Sequence, residues 1–229
     1  MIRSKRYKES VSKIDRAKEY TVEEAVKLLK SVTRARFDET VEIAMRLGVD
    51  PRHADQMVRG TVSLPNGTGK TVRILVLTKG ENVEKATAAG ADYAGLDEYV
   101  EKIQQGWLDF DVVVASSDVM SVVGKLGKVL GTRGLMPNPK SGTVTMDVES
   151  AVKEIKAGKI DFRVDKTGIV HSGIGKVSFE EAQLVENVKA FIGMIEKLRP
   201  SATKGTYLKS ISLSSTMGPG IFVNKNINA

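Results

Sequence analysis

The run TYLKSISLSSTMGPGIFV, Thr206–Val223, constrains the fold more than any other stretch of the chain. Tyr207, Lys209, Ile211, Leu213, Ser215 and Met217 form one alternate set, mostly apolar. Leu208, Ser210, Ser212, Ser214 and Thr216 form the other, almost all hydroxyl. A period of two with one greasy and one hydroxyl face predicts a half-buried strand. Gly218-Pro219-Gly220 forces a turn, and Ile221–Val223 starts a returning strand. The hydroxyl face has two readings: a plain solvated surface, or a platform for backbone and sugar contacts to nucleic acid.

Charge along the chain bears on that choice. The net +7 divides into +4 over residues 1–67, −1 over 68–158 and +4 over 159–229. Basic ends around a near-neutral middle point to a polyanion-binding unit assembled from both termini, with a differently employed segment inserted between them. Solvated surface charge is the bland alternative. The absence of cysteine excludes disulfides and thiolate metal sites, and two histidines, His53 and His171, leave little for a histidine cluster. No apolar run approaches the length of a membrane span, and no signal-peptide core follows Met1, so a cytoplasmic setting is the simplest fit.

Local patterning divides the chain in the same places. Arg3, Lys5, Arg6, Lys8 and Lys13 make a basic arm, loose or partly helical. Thr21 with Glu24 reads as a capping box opening a helix. Phe37, Val41, Ile43, Met45 and Leu47 alternate with polar residues as in a strand, broken only by Glu39, and Val58–Leu64 forms another. GTGKT at 67–71 resembles a phosphate loop but fails: the required earlier glycine is Leu64, and an apolar strand comes next where a helix is needed. Residues 72–130 then alternate strand and helix, with Asp97 capping one helix and Ser117 or Asp118 another that carries Val119 to Leu130. No GxGxxG follows a strand there, and Asp109 and Asp111 read as solvated.

From 124 to 144 a glycine- and proline-rich loop carries Lys125, Lys128, Arg133 and Lys140 with no acid between Asp118 and Asp147. It suits phosphate contacts or, equally, a rigid connector. Its GKLG matches a KH-type GxxG only in spelling. Asp147 caps a helix ending at Gly158. Lys159–Asp165 and Gly168–Ser172 read as strands joined by a tight turn with Lys166 at its tip, and Ser178 with Glu181 as the capping box of the helix Phe179–Leu198.

FDETVE (37–42), VRGTVSLPNGTGK (58–70), DVM (118–120), KLGKVLGTRGLMPNPKSGTV (125–144), DKTG (165–168), KAFI (189–192) and STMGPG (215–220) stand in this order, and on them the chain resembles the bacterial large-subunit ribosomal protein L-one family nearly end to end. The GKLG stretch is a residue shorter than in some relatives. The resemblance implies an α/β fold of two domains. One is a split β-α-β (ferredoxin-like) α+β domain from residues 1–67 and 159–229. The other is an inserted three-layer αβα, Rossmann-like domain, 68–158. It implies binding to large-subunit rRNA at the mobile stalk and help in releasing deacylated tRNA from the exit site. It also implies repression of translation through the protein's own operon mRNA. No catalysis and no cofactor are implied, and the protein is expected to be monomeric off the ribosome.

Transferred motif by motif, the implied RNA-binding residues are Arg36 (often lysine in the family), Phe37 and Thr40; Lys166, Thr167 and, less directly, His171; and Ser210, Thr216, Met217 and Gly218. Lys125, Lys128, Arg133 and Lys140 are secondary candidates. Hydroxyls and backbone groups would read ribose and phosphate shape, and Arg36 and Lys166 would supply salt-sensitive attraction. Pro65–Gly69 and Ala157–Gly158 are candidate hinges. Two other classes stay open: a nucleotide-dependent enzyme using the middle segment, and a general basic RNA chaperone.

Overall fold

The computed structural model describes residues 4–225. In chain order the first elements are α1 (Lys5–Ser12), α2 (Val22–Val32), β1 (Thr40–Leu47), β2 (Arg59–Ser63), β3 (Ile74–Leu77), α3 (Glu81–Ala88), β4 (Tyr93–Gly95), α4 (Asp97–Gln104) and β5 (Val112–Ala115). Next come α5 (Met120–Val123), α6 (Gly127–Thr132), α7 (Val148–Lys156), β6 (Lys159–Arg163), β7 (Ile169–Lys176), α8 (Glu181–Lys197), β8 (Leu208–Ser215) and β9 (Ile221–Val223). The fold is mixed α/β. The chain separates into two compact units, one drawn from both chain ends (through Gly69, and again from Ile160) and one running Lys70–Lys159.

In the unit formed by the chain ends, an antiparallel sheet runs β7-β1-β8-β9, with β2 and β6 paired separately. Alternation along β1 sends Val41, Ile43, Met45 and Leu47 inward, where they meet Val26, Leu29, Leu184, Val188, Phe191 and Ile192 of α2 and α8 in one core. Each fully buried aliphatic or aromatic side chain of this kind contributes roughly 1.5–3 kcal/mol. Both helices cover the same face, and among the described residues no helix packs on the opposite face of the sheet. α2 opens with the expected Thr21–Glu24 capping box. The basic arm is helical as α1, with Ser4 accepting a hydrogen bond from the Tyr7 amide; Arg3 lies outside the described residues.

The second unit is a three-stranded parallel sheet, β4-β3-β5. Ile74, Val76 and Val114 face Ala86 of α3 and Val148, Ala151, Val152 and Ile155 of α7. Leu75, Leu77, Val113 and Ala115 face the other way, toward Val100 and Ile103 of α4 and Val123, Leu126 and Leu130. A parallel sheet buried on both sides needs such continuous apolar runs.

Several local expectations differ from what forms. β8 does not keep one alternation throughout: a register shift opposite Arg46/Leu47 places Leu208 across from Leu47 and Ser210 across from Arg46. A bulge inserts one residue, here Lys209, and so Leu208 turns inward while Lys209 is exposed. The 165–168 turn does not join one continuous ladder, because β6 pairs with β2 and β7 with β1, leaving a single Val164–Val170 bridge. Glu180 with Gln183, rather than Ser178 with Glu181, forms the capping box of α8; the Ser178 amide and hydroxyl donate to Asp38 at 3.1 and 2.8 Å. Asp97 is the first residue of α4 and Leu96 occupies its cap without a side-chain bond. The helix expected after Ser117 is a broken series of short turns with no side-chain cap, and it continues through Thr132, so Lys125 and Lys128 sit on helical turns rather than in a loop. Asp111 is not simply solvated: its carboxylate holds the Arg73 amide and side chain at 3.1 and 3.3 Å and Lys70 at 3.2 Å.

Candidate nucleic-acid interface

The helix-free face of the four-stranded sheet is read from the strand register. Across it, His171 on β7 stands opposite Ala44 on β1, Ala44 opposite Ser212 on β8, and Ser212 opposite Phe222 on β9. Neighbouring rows are Ile169–Arg46–Ser210 and Gly173–Glu42–Ser214. The hydroxyl face expected from the sequence is therefore the open face, and its serines are half-buried between neighbouring strands rather than fully solvated.

At one end of this face the chain is pinned on both sides of Phe37. Asp38 is held by Ser178. Glu39, only 1% exposed, accepts the Ala35 amide at 3.2 Å and the Met217 amide at 2.9 Å, and its main-chain carbonyl accepts the Val177 amide at 3.0 Å. With its neighbours fixed, Phe37 points outward, 56% exposed, as does Met217 at 66%. The strand expected from Phe37 begins only at Thr40; Glu39 lies just before it and serves this clasp. Thr216 closes the strand end: its amide donates to the Thr40 carbonyl at 3.1 Å and its hydroxyl accepts the Thr40 amide at 3.0 Å. The Thr40 hydroxyl accepts from Lys176 Nζ at 2.9 Å. The Gly218 amide donates to the Ser215 carbonyl at 3.0 Å, and a Cβ there would press on the Ser215 hydroxyl. Arg6, Arg36, Phe37, Met217 and Gly218 line a groove of about 640 Å³ beside α1.

At the other end, Asp165 organises the turn. Its Oδ1 accepts the Thr167 and Ile169 amides, each at 2.8 Å, and the Thr167 hydroxyl at 2.7 Å. The Ile169 amide first, then Thr167, holds this carboxyl below its ordinary value. Gly168, at φ +80, lets the turn close under β1, where the Leu47 amide donates to the Gly168 carbonyl at 2.8 Å. Lys166 projects from the tip and His171 lies exposed, Nε2 4.0 Å from Asp165 Oδ2.

Arg36, Phe37, Thr40, Thr216, Met217 and Gly218 are thus brought together, and Lys166, Thr167 and His171 form a second group. The first group and the Lys166–Thr167 turn stand at opposite ends of β1, which at its rise per residue spans about 24 Å, with His171 between them opposite Ala44. Ser210, opposite Arg46, lies toward the second. The hydroxyls of Thr40, Thr216 and Thr167 are engaged within the protein. Lys125, Lys128, Arg133 and Lys140 are exposed on the other unit, Lys140 on a loop fixed by Asn138, whose amide donates to Thr143 Oγ1 and whose Oδ1 accepts the Lys140 amide, both at 2.8 Å. Glu39, Arg46, Lys176 and Phe222 were missed from sequence. Phe222 (42% exposed) had a signal, since alternation between Ile221 and Val223 turns it outward. Among the described residues no group of His, Asp and Glu is arranged to hold a metal ion, and no helix is long and apolar enough to cross a membrane.

These features define a mixed α/β protein with an open sheet face as its candidate binding surface. The model of the Ribosomal protein L1p/L10e family matches residues 28–219, and the chain belongs to that family, whose members are structural and non-enzymatic. Similar relatives include the large ribosomal subunit protein uL1 of Thermobifida fusca (strain YX), 61% identical over 99% of this chain and 96% of the relative. Another is that of Chlorobium phaeobacteroides (strain DSM 266 / SMG 266 / 2430), 59% identical over 96% of each chain.

Proposed function

We propose that the protein is a structural component of the large ribosomal subunit in the cytoplasm. It binds large-subunit rRNA at the mobile stalk, assists release of deacylated tRNA from the exit site, and represses translation by binding its own operon mRNA. The relatives' name supports the ribosomal assignment. The observation that carries the RNA reading is the helix-free sheet face, which ends in a hydrogen-bonded corner that holds Phe37 and Met217 out of the core. Outward-facing apolar side chains beside Arg36, with Lys166 at the far end, suit a folded RNA read by shape, sugar and phosphate. In this reading residues 1–67 and 159–229 act as the RNA-binding domain, and 68–158 as an inserted domain. Lys125, Lys128, Arg133 and Lys140 serve as its secondary contacts. Pro65–Gly69 and Ala157–Gly158 act as hinges; scattering envelopes that stay closed both free and RNA-bound would count against them. Off the ribosome the protein is monomeric and needs no cofactor.

A nucleotide role for the second unit is disfavoured by the charge at the ends of its strands. After β3 comes α3, with Glu81 and Glu84 in its first turn, and after β5 comes Asp118. Carboxylates at these strand ends repel phosphate where a nucleotide fold needs bare amides. Competition binding of stalk RNA against an unrelated hairpin at fixed salt tests the function, together with Thr216→Val and Met217→Ala. Preference for the stalk RNA is expected, weakened in both variants; Met217→Ala leaves melting intact, whereas Thr216→Val also takes the acceptor from the Thr40 amide and loosens the corner. Equal binding of both RNAs by the parent overturns stalk specificity, and unchanged affinity in both variants overturns the corner as the contact.

A further inference from the structure

Beyond the open sheet face, the chain-end unit has a second concavity, about 730 Å³, lined by Pro51, Arg52, Met57, Arg163, Val164, Asp165 and Lys166. Three of these residues are cationic, and all three side chains are exposed. None of the three has an ion-pair or side-chain hydrogen-bond partner among the described residues. The one carboxylate in the lining, Asp165, is committed to the Thr167 and Ile169 amides and the Thr167 hydroxyl, with His171 at 4.0 Å. It holds the turn in shape and leaves the cations uncompensated.

The walls are built rather than loose. Asp50 fixes the loop that carries Arg52: its Oδ1 accepts the Arg52 amide at 3.1 Å, its carbonyl accepts the His53 amide at 3.2 Å, and its own amide donates to Gln56 Oε1 at 2.8 Å. Arg163 is the last residue of β6, anchored by the adjoining Val164 amide on the Val58 carbonyl at 2.9 Å. Half-buried Met57 and buried Val164 form an apolar floor beneath the arginine stems.

We propose that this concavity is a phosphate track for the same RNA that lies on the sheet face, with Arg52 and Arg163 each taking a backbone phosphate beyond the one met by Lys166. Unpaired guanidiniums over an apolar floor match phosphate through forked, bidentate hydrogen bonds and lose little hydration on binding. Lys166 belongs to both surfaces, so the track continues the sheet-face footprint around the turn. The inference rests on the RNA-binding reading above and extends it to residues that no motif marked.

The test is the salt dependence of stalk-RNA binding by the full chain carrying Arg52→Gln and Arg163→Gln, which keep the stems and remove two charges. The control carries Lys27→Gln and Lys197→Gln, exposed on the helical side of the same unit. Two lost phosphate contacts lower the magnitude of the slope of log K against log salt by about 1.4–1.8, so the affinity lost between 50 and 200 mM salt shrinks by about tenfold. Preference over an unrelated hairpin stays, and the control matches the parent. A parent that does not prefer stalk RNA refutes the RNA reading itself. A parent that does, with an unchanged slope in the arginine variant or an equal drop in the control, overturns the phosphate track alone.

Discussion

Replacing Glu39 by glutamine isolates the clasp at the exposed corner. The side chain keeps its size and stays at a site only 1% exposed, so packing is preserved. The carboxylate now serves two amides, Ala35 on Oε1 and Met217 on Oε2. A glutamine offers one oxygen and one NH2, so one amide loses its acceptor and faces a second donor. A hydrogen bond to a charged group is worth roughly 1.5–3 kcal/mol, and a buried donor left unmatched costs the same order. We expect about 1.5–3 kcal/mol of lost stability, read as a melting point lower by about 4–10 °C. The corner should also loosen before the protein unfolds. If the seated state falls to a tenth of its population, apparent RNA affinity drops about tenfold with no contact residue changed. Amide hydrogen exchange at Met217 and Ala35 should quicken by a similar factor, while amides in α8 keep their protection apart from the global shift. Unchanged exchange at both amides with unchanged RNA affinity would refute the clasp.

Tyr207, 5% exposed and donating to the Ile195 carbonyl at 3.2 Å, has its phenol pushed up to about 12 by burial. A raised folded pKa means the stabilisation is whole below about pH 10 and lost as pH rises through 12, about 2–3 kcal/mol in all; Tyr207→Phe should cost about 1 kcal/mol at pH 7 and flatten that alkaline slope, and a parallel decline in both proteins would contradict it. Asn187 is fully buried, accepting the Asn66 amide at 3.1 Å and donating to the Gly67 and Ile174 carbonyls at 2.9 and 2.8 Å, so Asn187→Leu strands three backbone groups and should cost about 3–6 kcal/mol in urea denaturation. A loss under about 1 kcal/mol would show that those groups find other partners. Gly218→Ala drives a Cβ against the Ser215 hydroxyl, which is buried without a hydrogen-bond partner among the described residues, at a cost of about 1–3 kcal/mol and with weaker RNA binding. Adding Ser215→Ala should restore much of both, and a strictly additive double variant would rule out that collision.

The strands and helices were legible where apolar spacing was regular, as in β1, α2 and the buried runs of β3 and β5. What escaped was decided by single side chains reaching across sequence. Its spacing from Glu181 marks Ser178 as a cap, but Asp38, 140 residues away in sequence, takes its amide and hydroxyl. The bulge at Lys209 exchanges the faces of Leu208 and Lys209, and nothing within β8 alone reveals it, because register is a property of the pair. Glu39 looked like a fault in a strand pattern. Its role requires knowing that Met217 comes within hydrogen-bonding distance.

The same contacts change how the open face has to work. From the sequence, its hydroxyls were candidates for reading ribose directly. In the structure Thr216 spends its hydroxyl on the Thr40 amide, Thr40 takes Lys176, and Thr167 donates to Asp165. These groups make the surface rigid before any partner arrives, which lowers the ordering cost of binding. Contact itself then falls to what the network leaves projecting: Phe37, Met217, Arg36, Lys166 and the outward Phe222. On this argument, conservative changes among the threonines act by loosening the surface and should be visible in amide exchange without RNA. Changes at Phe37 or Met217 should leave the free protein almost untouched and register only when RNA is added.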